Sequence, residues 1–176
     1  MRRPQLPCLL LATLILVSCG ERAADVVNPK KYEKEGVVFL HPGNWTIENE
    51  SHEAGFHHVT VESPGDALVV VQAFEQTAAV SLKEYAEGFS AATAKQLPMG
   101  KMDGHQFAEL PDQGGWQRLQ ETLTMHLVGT KIPHTRFYYA RDFGENRCFV
   151  LCQVSTEDLS RVQEGFAQIV KSTLVK

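Results

Sequence analysis

The chain has 176 residues, 17 of them basic and 21 acidic, for a formal charge of −4. Loss of residues 1–18 on export would remove two arginines and no acid, leaving 15 basic and 21 acidic groups and a formal −6. No basic run remains to serve a nucleic acid or an anionic lipid surface, and the roughly 145 residues beyond the tether suffice for one core rather than two.

Arg2 and Arg3 open the chain, and Leu9 to Val17 form an apolar run broken only by Thr13. A charged start, a short apolar stretch and a small residue before the cut describe a secretory signal. The run falls short of the roughly 20 apolar residues that a membrane span requires. It ends in Leu16-Val17-Ser18-Cys19, which resembles the bacterial lipobox, whose cysteine is lipidated on its thiol and acylated on its new amino group. Cys19 is therefore the expected lipidation site and residues 1–18 the lipoprotein signal peptide. The competing reading is an ordinary signal with a cysteine nearby. One acyl chain binds a bilayer marginally and two or more bind it stably, so a membrane held through Cys19 is the first expected partner. Gly20 stands where an aspartate would direct retention, which favours an outer-membrane address facing the periplasm in enterobacterial-type sorting.

Residues 19–31 read as the lipidated cysteine and a short polar tether, with Pro29 and no periodicity. A flexible chain of that length reaches about 20 Å, so the domain is expected close to the membrane. The folded unit is placed at 32–176. Val37 to His41 is an apolar run stopped by Pro42-Gly43, and Trp45 to Glu48 resumes in extended form. His57 to Glu62 alternates, Ser63 to Asp66 is a turn, and Ala67 to Phe74 contains four consecutive apolar residues, as suits a strand covered on both faces. Ser81 with Glu84 forms a capping box. Leu82, Tyr85, Phe89 and Ala92 follow at helical spacing, with Pro98 past the end.

Gln106 to Leu110 reads as a short strand ended by Pro111. Along Trp116 to Val128, Leu119, Leu123, Met125 and Leu127 point one way. Arg118, Gln120, Thr122, Thr124 and His126 point to a wet face. Thr135 to Arg141 and Arg147 to Val154 read as a hairpin through Asp142 to Asn146. A final helix begins near Glu157, with Ser155 or Thr156 as its cap, and carries Leu159, Val162, Phe166, Ile169 and Val170 on one stripe. These elements predict a single layered α+β domain: a mainly antiparallel twisted sheet of about six to seven strands, with helices packed on its faces.

The segment Gly36-Val-Val-Phe-Leu-His-Pro-Gly-Asn-Trp45 resembles the opening of the PsbP/DcrB-like superfamily, and the helix start Ser81-Leu-Lys-Glu-Tyr85 agrees with it. The resemblance covers about residues 32–176. It implies a fold shared with a eukaryotic Ran-binding factor and a protein that binds or assists other proteins without catalysing a reaction. Phe39 and Trp45 are read as core.

Catalytic, cofactor and metal ligands are not assigned. His52-Glu53 with His57 mimics a zinc helix, but the second histidine comes one residue late and Gly55 intervenes. His57 and His58 point to opposite strand faces, and a site from His58, His126 and His134 would need tertiary convergence. Cys148 and Cys152, four residues apart on one strand, lie about 13 Å apart, too far for the roughly 7 Å limit of a disulfide. With Val150 and Val154 they read as one buried face; a redox switch or an intermolecular disulfide is the sharper alternative. The acid pairs Glu33/Glu35 and Glu157/Asp158 read as solvated element ends. The sequence thus predicts a membrane-anchored, non-catalytic extracytoplasmic lipoprotein that binds a protein or envelope component. The alternative is a small-ligand or metal-binding periplasmic domain, with an enzyme as its remoter variant.

Overall fold

The alternating segments pair into two antiparallel sheets in the computed structural model, which describes residues 21–53, 55–96, 100–127 and 129–176. Residues 1–20, which hold the expected signal peptide and the expected lipidation site Cys19, lie outside the described residues, as does Pro98. The larger sheet contains β3 (Thr46–Glu53), β4 (Phe56–Glu62), β5 (Leu68–Glu75), β6 (Gly100–Gln113), β7 (Trp116–Leu127), β8 (Thr130–Phe143) and β9 (Asn146–Ser155). Its spatial order is β3-β4-β5-β9-β8-β7-β6. β1 (Lys30–Lys34), β2 (Val37–His41) and β10 (Leu174–Val175) form a separate three-stranded sheet, where β2 is central. One sheet of six to seven strands was expected; the second is built on the β1–β2 hairpin and widened where Leu174 and Val175 return to pair with Val38 and Val37.

A helix covers each face, as two strands apolar on both sides require. α1 (Leu82–Gln96) packs Leu82, Ala86 and Phe89 on Val70, Leu119, Tyr138, Phe149 and Leu151. α2 (Leu159–Ser172) and the small sheet cover the other face, where Trp45, Phe39, Val162, Phe166 and Ile169 meet Val59, Val69, Val150 and the two cysteines. Phe39 and Trp45 are fully buried, and Trp45 meets Phe166 edge-on with ring centroids 5.7 Å apart.

The Ser81–Glu84 box forms at α1: the Ser81 amide donates to the Glu84 carboxylate at 3.0 Å and the Glu84 amide to the Ser81 hydroxyl at 3.3 Å. At α2 the expected cap does not form. A 3₁₀ turn, Thr156–Asp158, precedes the helix, and the Ser155 hydroxyl donates to Asp158 at 2.9 Å instead of accepting from a helix amide. Pro111 does not end β6. That strand is an edge, where a missing N–H is tolerated, and its register slips between Leu110 and Gln113. Pro133 is accommodated for a similar reason, since β9 reaches only as far as His134.

Residues 21–31, expected as a flexible tether, are folded onto the body, and Lys30 already begins β1. Glu21 is buried, its Oε2 accepting from the Ser63 hydroxyl (2.6 Å) and the Asp66 and Ala67 amides (3.0 and 3.1 Å). Arg161 donates to the Glu21 carbonyl at 2.6 Å, and the Ala24 amide donates back to the Arg161 carbonyl at 3.0 Å. Asn44 brackets the segment by donating to the Ala23 carbonyl and accepting from the Asp25 amide, both at 2.9 Å. Gln168 donates to the Val26 carbonyl at 3.0 Å. The polarity that suggested a solvated linker is thus met by the body. Gly65 and Gly165 leave the room: a Cβ on Gly65 would lie 2.4 Å from the Glu21 carboxylate.

Candidate functional site

Two polar features stand out on the sheet, one largely buried and one open. The buried one lies under α1, with His105 reaching solvent. Glu121 on β7 shares the face of Leu119, Leu123 and Met125, and Arg136 is its register partner on β8; both are fully buried. Glu121 Oε1 accepts from the Ser90 hydroxyl and His105 Nδ1, each at 2.6 Å. Its Oε2 accepts from the Tyr138 hydroxyl at 2.6 Å and Arg136 Nη1 at 3.3 Å. Arg136 Nε donates to Gln153 at 2.6 Å, and the guanidinium carbon lies 5.4 Å from the Phe89 ring centre. Burial raises the Glu121 pKa, but the hydrogen bonds from Ser90, Tyr138 and His105, with the Arg136 charge, outweigh it and hold the carboxyl below its ordinary 4.5.

Ser90, His105 and an acid invite comparison with a hydrolytic triad, but the geometry differs. A triad joins nucleophile and acid to opposite imidazole nitrogens. Here Ser90 Oγ lies 3.2 Å from His105 Nδ1, the same nitrogen that meets Glu121. The serine proton therefore goes to the carboxylate, and the cluster is an internally satisfied ion pair.

The open feature is a cleft of about 420 Å³ between the β6–β7 turn, β8 and the end of α2. Trp116 and Tyr139 supply apolar faces, their ring centroids 6.4 Å apart and nearly perpendicular. Arg118, Arg141 and Lys171 supply positive charge, and no acidic residue is among the lining groups. Arg118 Nη1 donates to Gln113 at 3.0 Å, while its buried Nε has no hydrogen-bond partner. Arg141 Nη1 donates to the Gly114 carbonyl at 3.2 Å. Arg118 was expected on a wet face; its side is half-buried, and Arg118 itself forms part of this cleft.

The histidines do not converge. His126 pairs with Asp103 at 3.1 Å, whereas His134 lies on the opposite face of the sheet and meets the Ile132 carbonyl at 3.1 Å. Among the described residues no group of three or more His, Cys, Asp or Glu is placed to hold a metal ion. His52 and His57, rejected as a helical pair, do meet across the β3–β4 hairpin with ring centroids 5.4 Å apart. His57 Nε2 is 2.9 Å from the Tyr32 hydroxyl, and burial together with Glu50 pushes Tyr32 up to about 12. On the other face Tyr85 donates to Gln72 Oε1 at 2.8 Å, which turns Gln72 Nε2 towards His58 Nδ1 at 2.9 Å. That relay assigns the remaining proton of His58 to Nε2, which meets Thr60 at 2.9 Å. Cys148 and Cys152 are unbridged and fully buried on β9, and burial raises both thiols, Cys148 to about 12.

Sequence reasoning missed Glu121, Arg136, Ser90 and His105. The available signal was a charge at an apolar position of the alternation Leu119-x-Glu121-x-Leu123-x-Met125.

No family model matches the sequence, and no curated protein matches it. Among solved structures the chain is similar to cyanobacterial PsbP (CyanoP) of Synechocystis sp. PCC 6803. The TM-score is 0.54 at 15% identity, covering 92% of this chain and 99% of that one. Similarity extends to LpqN of Mycobacterium tuberculosis, described as involved in cell envelope biogenesis, with TM-score 0.44, 12% identity and coverage of 85% and 90%. The Ran-binding protein Mog1p of Saccharomyces cerevisiae gives TM-score 0.46, 10% identity and coverage of 84% and 95%. The likeness to CyanoP runs over nearly the whole of both chains, so the PsbP-like α+β fold that the Gly36–Trp45 segment suggested is the fold observed.

Proposed function

We propose that the protein is a lipid-anchored, non-catalytic extracytoplasmic domain that binds an acidic segment of an envelope protein in the Trp116 cleft. The observation that carries this reading is the cleft itself. On a net-acidic protein, it gathers Arg118, Arg141 and Lys171 beside two aromatic faces without an acid among its lining groups. Aromatic and arginine side chains together characterise protein-binding hot spots. The lipobox ending at Cys19 supports the anchor, and Gly20 supports an outer-membrane address. The Glu121 cluster supports a binding rather than catalytic role, since its proton donors all serve one carboxylate.

Metabolic labelling with palmitate tests the anchor: wild type should carry label and partition into detergent, and Cys19→Ala should lose both. Photo-crosslinking from Gln113 in intact cells tests the cleft. The crosslinked partner peptide should be rich in Asp or Glu, and the Arg118→Ala/Arg141→Ala double variant should abolish it. Crosslinks indifferent to that double variant would sink the cleft assignment. The cleft volume also lies in the range of small-molecule sites, about 300–1,000 Å³, which favours a small organic anion as the second reading. Thermal stabilisation by aromatic carboxylates, with no peptide crosslink, would select it.

A further inference from the structure

We infer that the domain stands upright on the bilayer, on the end of its sheet that carries the Ser63–Asp66 turn, with the Trp116 cleft facing away from the membrane. The inference rests on the lipid anchor at Cys19 proposed above and adds a fixed orientation to it. A flexible tether of a dozen residues would let the domain tumble. Instead only two residue steps separate Cys19 from Glu21, a span of at most about 7 Å, and Glu21 is pinned.

Its carboxylate is held by Ser63, Asp66 and Ala67, and its carbonyl by Arg161. The acyl chains must therefore leave the protein beside the Ser63–Asp66 turn. Strand register places the Thr130 end of β8 and the Ser155 end of β9 at the same extremity as that turn. Between them, Asp66, Thr130 to Pro133 and Ser155 to Asp158 line a concavity of about 580 Å³. Asp66, Glu157 and Asp158 there outnumber Lys131, which suits the ammonium of zwitterionic headgroups better than phosphate-rich anionic lipid. The cleft lies at the other extremity. β9 alone has ten residues, about 30 Å of strand, and α2 runs from Arg161 at the anchor to Lys171 in the cleft. The partner is thus approached from the aqueous side.

The test uses full-length protein matured in cells and placed in phosphatidylcholine–phosphatidylethanolamine vesicles carrying headgroup-nitroxide lipid. Fluorophores are attached at Lys131→Cys and Glu157→Cys on one end, and at Gln113→Cys and Glu145→Cys on the other. The expected result is quenching several-fold stronger at 131 and 157 than at 113 and 145. Glu21→Ala/Arg161→Ala, which removes the carboxylate and the partner of the Glu21 carbonyl together, should keep vesicle association and erase most of that difference. Equal quenching at both ends, or a difference that survives this double variant unchanged, overturns the fixed pose while leaving the anchor standing. Failure of the wild type to stay with vesicles overturns the anchor and the pose together.

Discussion

Glu121 and Arg136 face each other with no exposure to solvent, and every oxygen of the carboxylate is engaged. A buried ion pair adds little over a well-packed apolar pair, yet removing one partner strands the other charge at a cost of about 3–5 kcal/mol. Glu121→Ala should therefore lower the unfolding free energy by about that amount, and Glu121→Leu/Arg136→Met should recover much of it, as read by urea denaturation. Because the Glu121 pKa is lowered in the fold, its contribution is complete above 4.5 and disappears as pH falls through the folded value. His41, His57 and His58 act earlier. Burial chiefly lowers all three from 6.5, with Lys30 adding to this at His41 and His52 at His57. The native state then binds fewer protons than the unfolded chain below 6.5, so stability is level above that pH and declines beneath it. Urea midpoints at pH 7.5 and 5.5 should differ, and His58→Gln should narrow the difference. The buried pair was only partly legible. Glu121 violates its strand's alternation, but Arg136 becomes its partner through a cross-strand register that no local pattern encodes.

The elements most faithful to the sequence are those whose signals are local. The α1 cap needs only Ser81 and Glu84, and both bonds form. The β8–β9 hairpin needs only its turn and two apolar runs. Errors arose where distant chain decided the outcome: β10 completes a sheet begun more than a hundred residues earlier, and residues 21–29 dock because Asn44, Arg161 and Gln168 meet their backbone. Gly165 shows how tightly that docking constrains α2. A Cβ there would sit 2.8 Å from Pro42 Cγ and 2.9 Å from both Ala24 Cβ and Trp45 Cζ2. In an exposed helix, glycine to alanine gains about 1 kcal/mol. Here Gly165→Ala should instead destabilise by about 1–3 kcal/mol, the usual consequence of overpacking, and should expose residues 21–29 to limited proteolysis before the rest of the chain.

At the scale of the whole molecule, β9 is the middle strand of seven and separates two cores. Its even-numbered residues from Cys148 to Val154 face α2 and the small sheet, and Phe149 and Leu151 face α1. No edge opening can reach the two thiols without first stripping strands from one side or helix and sheet from the other. Desolvation also keeps both protonated, Cys148 with a pKa near 12, and only the thiolate reacts readily. Their modification should therefore report global unfolding rather than local fraying. In the soluble domain lacking residues 1–20, both cysteines should resist a thiol-specific reagent for as long as the fold persists. Urea should accelerate the reaction in step with the unfolding equilibrium, the two sites rising together. Fast labelling of either one in native buffer would mean that β9 separates from β5 or β8 on its own, and that the two cores are not one cooperative unit.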